Sequence, residues 1–131
     1  MHEQQDILTL EDVKILVDTF YGKIRNDELL SPIFNERIQD RWPEHLEKMY
    51  RFWQTVLLGD HSYHGSPFPP HAKLPVDETH FEAWLGLWHA AIDHHFIGEK
   101  AFEAKWRGDK MAVMFLSKIS YYRDNASFPL A

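Results

Sequence analysis

The sequence contains no cysteine. Disulfide scaffolds, thiol nucleophiles, cysteine-ligated zinc sites and iron–sulfur clusters are therefore excluded, because each of them needs cysteine sulfur. The six glycines form no phosphate-binding loop, and no Gly-x-Ser-x-Gly motif or pair of carboxylates on one helix face occurs. These gaps leave nine histidines as the strong nitrogen ligands of the chain.

Basic runs and long apolar runs are missing as well. The formal net charge is −6, with 14 basic against 20 acidic residues, so nucleic acid is not an expected partner. No apolar stretch reaches the length of a membrane span, and no membrane partner is expected. Residues 2–6 are polar and lack the basic and apolar regions of a signal peptide. We therefore expect a soluble, cytoplasmic protein.

Aromatic residues, in contrast, are abundant: the 131 residues include five Trp, nine Phe and five Tyr. This length predicts one domain, residues 1–131, with flexible tails at 1–8 and 124–131. No segment keeps the strand period for more than a few residues, which predicts an all-α fold. Its aromatic surfaces suit either an ordinary core or a pocket for a flat ligand.

Apolar spacing predicts three strong helices and one weaker entry helix, joined by short connectors. The entry helix is expected to begin at the cap Thr9 and to end near Arg25, and its short first piece leaves a break in it as an alternative. Ser31 and Pro32 predict the start of a short helix, with Ser31 as its cap, and Asp40 predicts a similar start for the next.

The later helices also carry boundary signals. Gly59 is expected to stop the helix that starts near Asp40, and Asp77 to cap the following one. The last helix is predicted to run from about Glu99 to Tyr122. The large apolar residues along it are Phe102, Trp106, Val113, Phe115, Leu116 and Ile119.

Polar groups interrupt the apolar stripes of three helices at Tyr21, His45 and Trp84. If they converge, they form a cluster of hydrogen-bond donors over a bound ligand. The alternatives are local: the Tyr21 hydroxyl can bond a backbone carbonyl, and His45 can be a satisfied boundary histidine.

His71 follows a predicted loop, residues 59–70, that is dense in turn-forming residues. Neighbouring prolines such as Pro70 and Pro75 restrict the backbone and hold the imidazole in place, as a metal ligand requires. A plain surface turn is the alternative. A second alternative is a zinc site in the loop, although a closed zinc site generally uses four protein ligands. Its ligands would be Asp60, His61 and His64.

Haem matches these residues better than zinc, because it needs one strong axial ligand and an apolar slot for the macrocycle. His71 supplies the ligand. Flat apolar walls are offered by Phe34, Phe52, Trp84 and Trp88.

Short motifs occur in a fixed order over roughly residues 10–120. They are Phe20-Tyr21, Pro32-Ile-Phe34, Trp42-x-x-His45, Phe52-Trp53-x-x-x-Leu57-x-Gly59, Tyr63-x-Gly65-x-Pro67, His71, Leu74-Pro75 and Phe81-x-x-Trp84-Leu85. Their order and spacing resemble the truncated haemoglobins. The paired-glycine turns typical of the other two groups are missing, which favours the third group.

The resemblance implies a globin-like, two-over-two helical sandwich around haem b, with His71 as the iron ligand. On the opposite, distal side, it implies Tyr21 as the distal tyrosine, His45 as the gate histidine and Trp84 as the pocket tryptophan. The further cofactor contacts expected are Phe20, Phe34, Lys48, Met49, Phe52, Leu74, Trp84 and Trp88. Phe34 corresponds to the residue that stacks on the porphyrin, and Lys48 to a basic residue near a propionate.

Two positions depart from the family pattern. Pro70 stands where a relative carries a basic residue, which removes one expected propionate contact. Met49 replaces a branched aliphatic residue and is expected to reshape the pocket above the iron.

The expected ligands are O2, NO, CO or similar small molecules. Donors from Tyr21 and Trp84 would each stabilise a partly negative ligand by about 1–2 kcal/mol, and together slow its dissociation roughly tenfold to a thousandfold. Such retention favours ligand chemistry on nitric oxide, dioxygen or peroxide, served by an unidentified reductase, or sensing. The alternatives are an oxygen carrier or store, a haem-free helical interaction domain, and a six-coordinate resting iron that also binds His45 or Tyr21.

Overall fold

The computed structural model describes residues 4–63, 65 and 75–124, within which the chain forms five α-helices. The helices span Leu10–Arg25 (α1), Ser31–Ile38 (α2), Trp42–Leu58 (α3), Glu78–His95 (α4) and Glu99–Asp124 (α5). Helix α1 contacts α2, α3 and α4, and α5 contacts α4 and α3. The pairs α1–α3 and α4–α5 therefore pack on one another around a shared core. Within the described residues, this arrangement agrees with the predicted all-α fold.

Within the described ranges, we find no helix with the length and apolar character needed to cross a membrane.

Local capping sets the helix ends where the sequence predicts it. Thr9 and Asp12 form a reciprocal capping box, in which each side chain accepts the backbone N–H of the other residue. Asp77 caps α4 in the same manner, and Gly59 ends α3 with a φ of 76°. Helix α1 is continuous from Leu10, so the alternative of a broken entry helix is wrong.

Two predicted caps are wrong. Ser31 is already the first residue of α2 and does not cap it. Asp27 organises that turn instead, because its Oδ2 accepts the backbone N–H of Leu30 at 2.9 Å. Helix α3 begins at Trp42 without a side-chain cap, so Asp40 does not cap it either. Both helices carry proline in their first turn, which starts a helix without needing a capping side chain.

The large apolar residues of α5 do not all face the core. Phe102, Trp106 and Val113 are 72%, 47% and 69% exposed. The buried face instead consists of Ala101, Ala104, Gly108, Ala112, Phe115 and Ile119. The cause is size: the facing helix α4 fills the interface with the large Trp88, so α5 contributes small residues there.

Residues 4–8 do not form the flexible tail that the sequence predicts. Ile7 is fully buried, and Gln5 pairs with the backbone at Phe96. The Asp6 carboxylate accepts the backbone N–H groups of Lys100 at 2.9 Å and Ala101 at 2.8 Å. Asp6 therefore caps α5 from the far end of the sequence, a role that local sequence does not reveal.

Replacing Asp6 with Ala is expected to lower the free energy of unfolding by about 1–2 kcal/mol, the usual loss for a helix cap. Partial burial opposes ionisation, but the backbone N–H groups of Lys100, Ile7 and Ala101 outweigh it and lower the Asp6 pKa. The stabilisation is therefore present above the unfolded pKa of about 3.9 and is lost as pH falls through the lower folded pKa. Urea unfolding of the parent and the Asp6→Ala protein over a pH series measures the difference in their free energies of unfolding.

The matched control is Asp40→Ala, since Asp40 is exposed. Its unfolding curve should match that of the parent protein at every pH. An Asp6→Ala protein that is as stable as the parent at neutral pH would contradict the capping role.

Candidate functional site

Tyr21 lies on the buried face of α1, one turn before the end of that helix, and is 7% exposed. Its ring makes edge-on contacts with rings on α2 and α3, including Phe34 at 6.2 Å and His45 at 5.0 Å between centroids. Burial raises the pKa of the Tyr21 phenol well above its ordinary value. Tyr21 is therefore a neutral hydroxyl donor in an aromatic setting across the physiological pH range.

His45 lies in the first turn of α3, where its backbone N–H is held by the carbonyl of Arg41 at 2.9 Å. The side chain is half-buried, and its Nε2 atom is buried. The imidazole stands at 89° to the ring of Tyr21 and at 88° to that of Trp42. The fold therefore brings together two of the three polar groups predicted from the sequence, from helices far apart in the chain.

Trp84, the third polar group, is half-buried on α4. Its ring meets Phe20 edge-on at 5.4 Å between centroids, and Phe20 in turn meets Tyr21 at 4.9 Å. Phe20 thus links Trp84 to the Tyr21–His45 pair. The donor-bearing side chains of α1, α3 and α4 consequently border one aromatic cluster.

Phe20 and Trp88 lie deeper in the core than the cofactor contacts expected of them. They are 1% and 0% exposed, so neither presents surface to a ligand. Trp88 stacks against both Trp53 and Trp84, and its indole N–H donates to the Ala104 carbonyl on α5 at 2.9 Å. We assign both residues to the support of the pocket rather than to its surface.

The other predicted contacts of α2 and α3 surround the same cluster. Phe34 and Met49 are half-buried and pack against the core. Phe52 is 8% exposed and meets Tyr63 edge-on at 5.3 Å between centroids. Lys48 is exposed on α3, one turn after His45.

Two predicted residues, His71 and Leu74, lie outside the described residues, as does His64 of the alternative zinc site. Of that alternative set, Asp60 and His61 are exposed at the end of α3. Among the side chains that the structure describes, no group of three or more His, Asp or Glu is arranged to hold a metal ion.

Trp42 is a member of the cluster to which sequence reasoning gave no role in the site. It is 7% exposed and lies 5.8 Å from both Tyr21 and His45, measured between ring centroids. Its indole N–H donates to Asn35 at 3.3 Å, and the Arg25 guanidinium covers its ring at 4.6 Å. One feature of the sequence does indicate this placement: Trp42 lies three residues before His45, which puts both side chains on one face of α3.

A cavity of about 290 Å³ between α1 and α3 reaches the cluster from the protein surface. Tyr21, Trp42 and Leu46 line it from within, and Asp18 and Tyr50 stand at its outer side. The Tyr50 hydroxyl donates to the Asp18 carboxylate. Tyr21 therefore has one side toward this cavity and another toward His45 and Phe34.

Comparison with known sequences places the chain among haem proteins. The family described as bacterial-like globin matches residues 6–115, a range that includes Tyr21, His45 and Trp84. Over 92 residues, the chain is 36% identical to the Group 3 truncated hemoglobin ctb of Campylobacter jejuni, covering 67% of this chain and 72% of that protein. Over 84 residues, it is 33% identical to the Group 2 truncated hemoglobin YjbI of Bacillus subtilis, covering 60% of this chain and 61% of that protein.

Solved structures give the same result for the fold. The crystal structure of the group III truncated hemoglobin from Campylobacter jejuni matches with a TM-score of 0.82 and 30% identity, over 89% of this chain and 95% of that chain. The X-ray structure of the truncated oxygen-avid haemoglobin from Bacillus subtilis matches with a TM-score of 0.72 and 29% identity, over 83% and 94% of the two chains.

Proposed function

The chain belongs to the truncated haemoglobins, in their third group, and we propose that it holds haem b beneath distal donors supplied by Tyr21, His45 and Trp84. Family membership supports the coarser statement, which is haem-based binding of small gaseous ligands such as dioxygen. In the proposal, His71 is the axial ligand. When bound, haem supplies a ferrous iron that coordinates O2, NO or CO.

One observation carries the proposal: the edge-on contact of Tyr21 and His45, with ring centroids 5.0 Å apart, in a buried aromatic cluster. Two groups with hydrogen-bonding capacity from separate helices meet there, and Phe20 connects them to Trp84. A ligand that gains partial negative charge on binding is stabilised by neutral donors in an apolar setting. The chemistry of this donor set therefore fits the distal face of a haem.

The charge balance of the core supports the same fit. Among the described residues, no Asp, Glu, Lys or Arg is fully buried. A buried carboxylate near the donors would repel a partly negative ligand, whereas the hydroxyl of Tyr21 and the indole of Trp84 attract it. Since burial raises the pKa of Tyr21, the phenol keeps the proton that it donates.

The remaining proposed contacts surround the macrocycle. Phe34 and Phe52 provide flat surfaces from α2 and α3, and Met49 lies between the positions of His45 and Phe52 on α3. Lys48 is proposed to pair with a propionate at the solvent edge of the pocket. Its exposed ammonium group can form this pair without being buried. Leu74 is proposed to lie on the side of the macrocycle that carries His71.

The specific role that we propose is ligand chemistry rather than bulk oxygen transport. Two donors that each contribute about 1–2 kcal/mol retain bound dioxygen long enough for a second reactant, such as nitric oxide, to meet it. A carrier or store, in contrast, must release its ligand readily. Repeated turnover consumes electrons, so the proposal includes a reductase as partner.

The absorption spectrum of the purified protein tests haem binding directly. We expect a Soret band after haem addition, and a shift of that band when carbon monoxide is added to the reduced protein. Absence of a Soret band after haem addition would instead support a helical interaction domain. The reduced spectrum without carbon monoxide also shows whether a second protein ligand, such as His45 or Tyr21, occupies the sixth position.

The role is tested by mixing the dioxygen-saturated protein with nitric oxide and measuring nitrate. Ligand chemistry predicts nitrate in proportion to protein and slow spontaneous dioxygen release. Fast release with little nitrate would favour the carrier or store.

A further inference from the structure

Trp88 stacks against two other tryptophans in the core. The centroid of its ring lies 4.5 Å from that of Trp53 on α3, at an interplanar angle of 27°. It lies 6.1 Å from that of Trp84, at 15°. Trp84 therefore contacts a fully buried neighbour whose own orientation is fixed by the rest of the fold.

Helix α5 fixes that orientation through two contacts. The Trp88 indole N–H donates to the Ala104 carbonyl at 2.9 Å. A Cβ atom placed on Gly108 would lie 2.6 Å from Cδ1 and 2.7 Å from Nε1 of Trp88, closer than side-chain carbons approach one another. Glycine at this position is what lets the indole lie against α5.

Phe20 on α1 contacts both Trp88 and Trp84. It meets Trp88 edge-on at 5.0 Å and Trp84 edge-on at 5.4 Å, with interplanar angles near 84° and 85°. Trp84 and Trp88 are one helical turn apart on α4, so their side chains lean in one direction and tilt together. A change in the tilt of Trp88 is therefore transmitted to Trp84.

We propose that Trp88 and Gly108 are positioning residues, which set the direction in which the Trp84 indole donates to the distal ligand. Neither residue touches that ligand. The inference rests on the proposed donor role of Trp84, and it adds that α5, through a glycine remote from the pocket, controls this donor.

The test compares Gly108→Ala with Gly86→Ala in the haem-loaded, carbon monoxide-saturated protein. Both changes place alanine in a helix, but a Cβ on Gly86 meets nothing within 4 Å. With ¹⁵N-labelled tryptophan, five indole N–H signals are expected, one for each tryptophan. Trp84→Phe and Trp88→Phe assign two of them. We expect Gly108→Ala to shift the Trp84 signal and Gly86→Ala to leave it in place.

Dioxygen dissociation gives the functional readout. Gly108→Ala and Trp88→Phe should each speed dissociation toward the rate of Trp84→Phe, which we expect to be about fivefold to thirtyfold above the parent rate. Trp88→Phe does not depend on the fit of a new methyl group, so it remains informative if Gly108→Ala fails to fold. In the Trp88→Phe background, adding Gly108→Ala should have little further effect, because the clash partner is already smaller.

An unchanged Trp84 signal together with an unchanged dissociation rate, in folded Gly108→Ala and Trp88→Phe proteins, would overturn the inference. The two proposals fail separately. If Trp84→Phe itself leaves dissociation unchanged, the donor role of Trp84 is wrong, while the indole shift still decides whether Gly108 and Trp88 position that ring.

Discussion

Replacement of Tyr21 by Phe is expected to speed dioxygen dissociation from the haem-loaded protein by about fivefold to thirtyfold, the loss of one hydrogen bond of about 1–2 kcal/mol. The double variant Tyr21→Phe, Trp84→Phe should speed it roughly thirtyfold to a thousandfold. The ring of Tyr21 is retained in the variant, so its edge-on contacts with Phe20 and His45 remain. Stopped-flow displacement of dioxygen by carbon monoxide measures the rate.

Tyr50→Phe is the matched control for this experiment. It removes the same atom type from α3, but the Tyr50 hydroxyl donates to Asp18 on the outer side of the α1–α3 cavity. Its dissociation rate should equal that of the parent protein. If Tyr21→Phe also equals the parent, with an intact absorption spectrum, the distal donor argument fails for Tyr21.

The rate should also be insensitive to pH in the range where an exposed phenol loses its proton, near pH 10. Burial raises the pKa of Tyr21, so the neutral donor persists through that range. A rise in dissociation there that disappears in Tyr21→Phe would show that the phenol ionises earlier than its burial predicts.

The second large effect is expected at His71. His71→Ala should abolish stable haem retention, because in the proposal His71 supplies the axial bond that holds the iron. Haem content after gel filtration and the intensity of the Soret band measure the loss. Added imidazole should restore the band in the variant, since a free imidazole occupies the place left by the side chain.

His61→Ala serves as its control, because His61 is exposed near the end of α3 and belongs to the alternative zinc set. It should retain haem at the parent level. A His71→Ala protein with unchanged haem content and spectrum would show that His71 is not the axial ligand. It would favour the alternative in which His71 belongs to a plain surface turn.

Local sequence signals predicted the helices of this protein and several of their ends. The entry helix is confirmed as α1, Leu10–Arg25, and Thr9, Asp77 and Gly59 mark helix ends as expected. These features succeed because periodicity and capping depend on residues within one or two turns. The resemblance to the truncated haemoglobins is confirmed by the bacterial-like globin match over residues 6–115 and by the 36% identity to a Group 3 truncated hemoglobin.

Local sequence signals do not reveal which residues are buried, or which helix end is capped, when a distant segment sets these features. Phe102 and Trp106 are exposed because α5 turns its alanines and Gly108 toward Trp88 of α4. Asp6 caps α5 although about a hundred residues of sequence separate them. A hydrophobic pattern ranks residues by polarity and does not register how closely two helices approach.

The sequence by itself determined the helices, the family and the set of polar aromatic residues Tyr21, His45 and Trp84, since these depend on residue type and spacing. Only the tertiary structure decided which of them meet, and how. The crossing of α1 and α3 sets Tyr21 against His45, and Phe20 carries that contact to Trp84. Side-chain packing between helices is a property of three-dimensional fit, so Trp88 was reassigned from the pocket wall to its support.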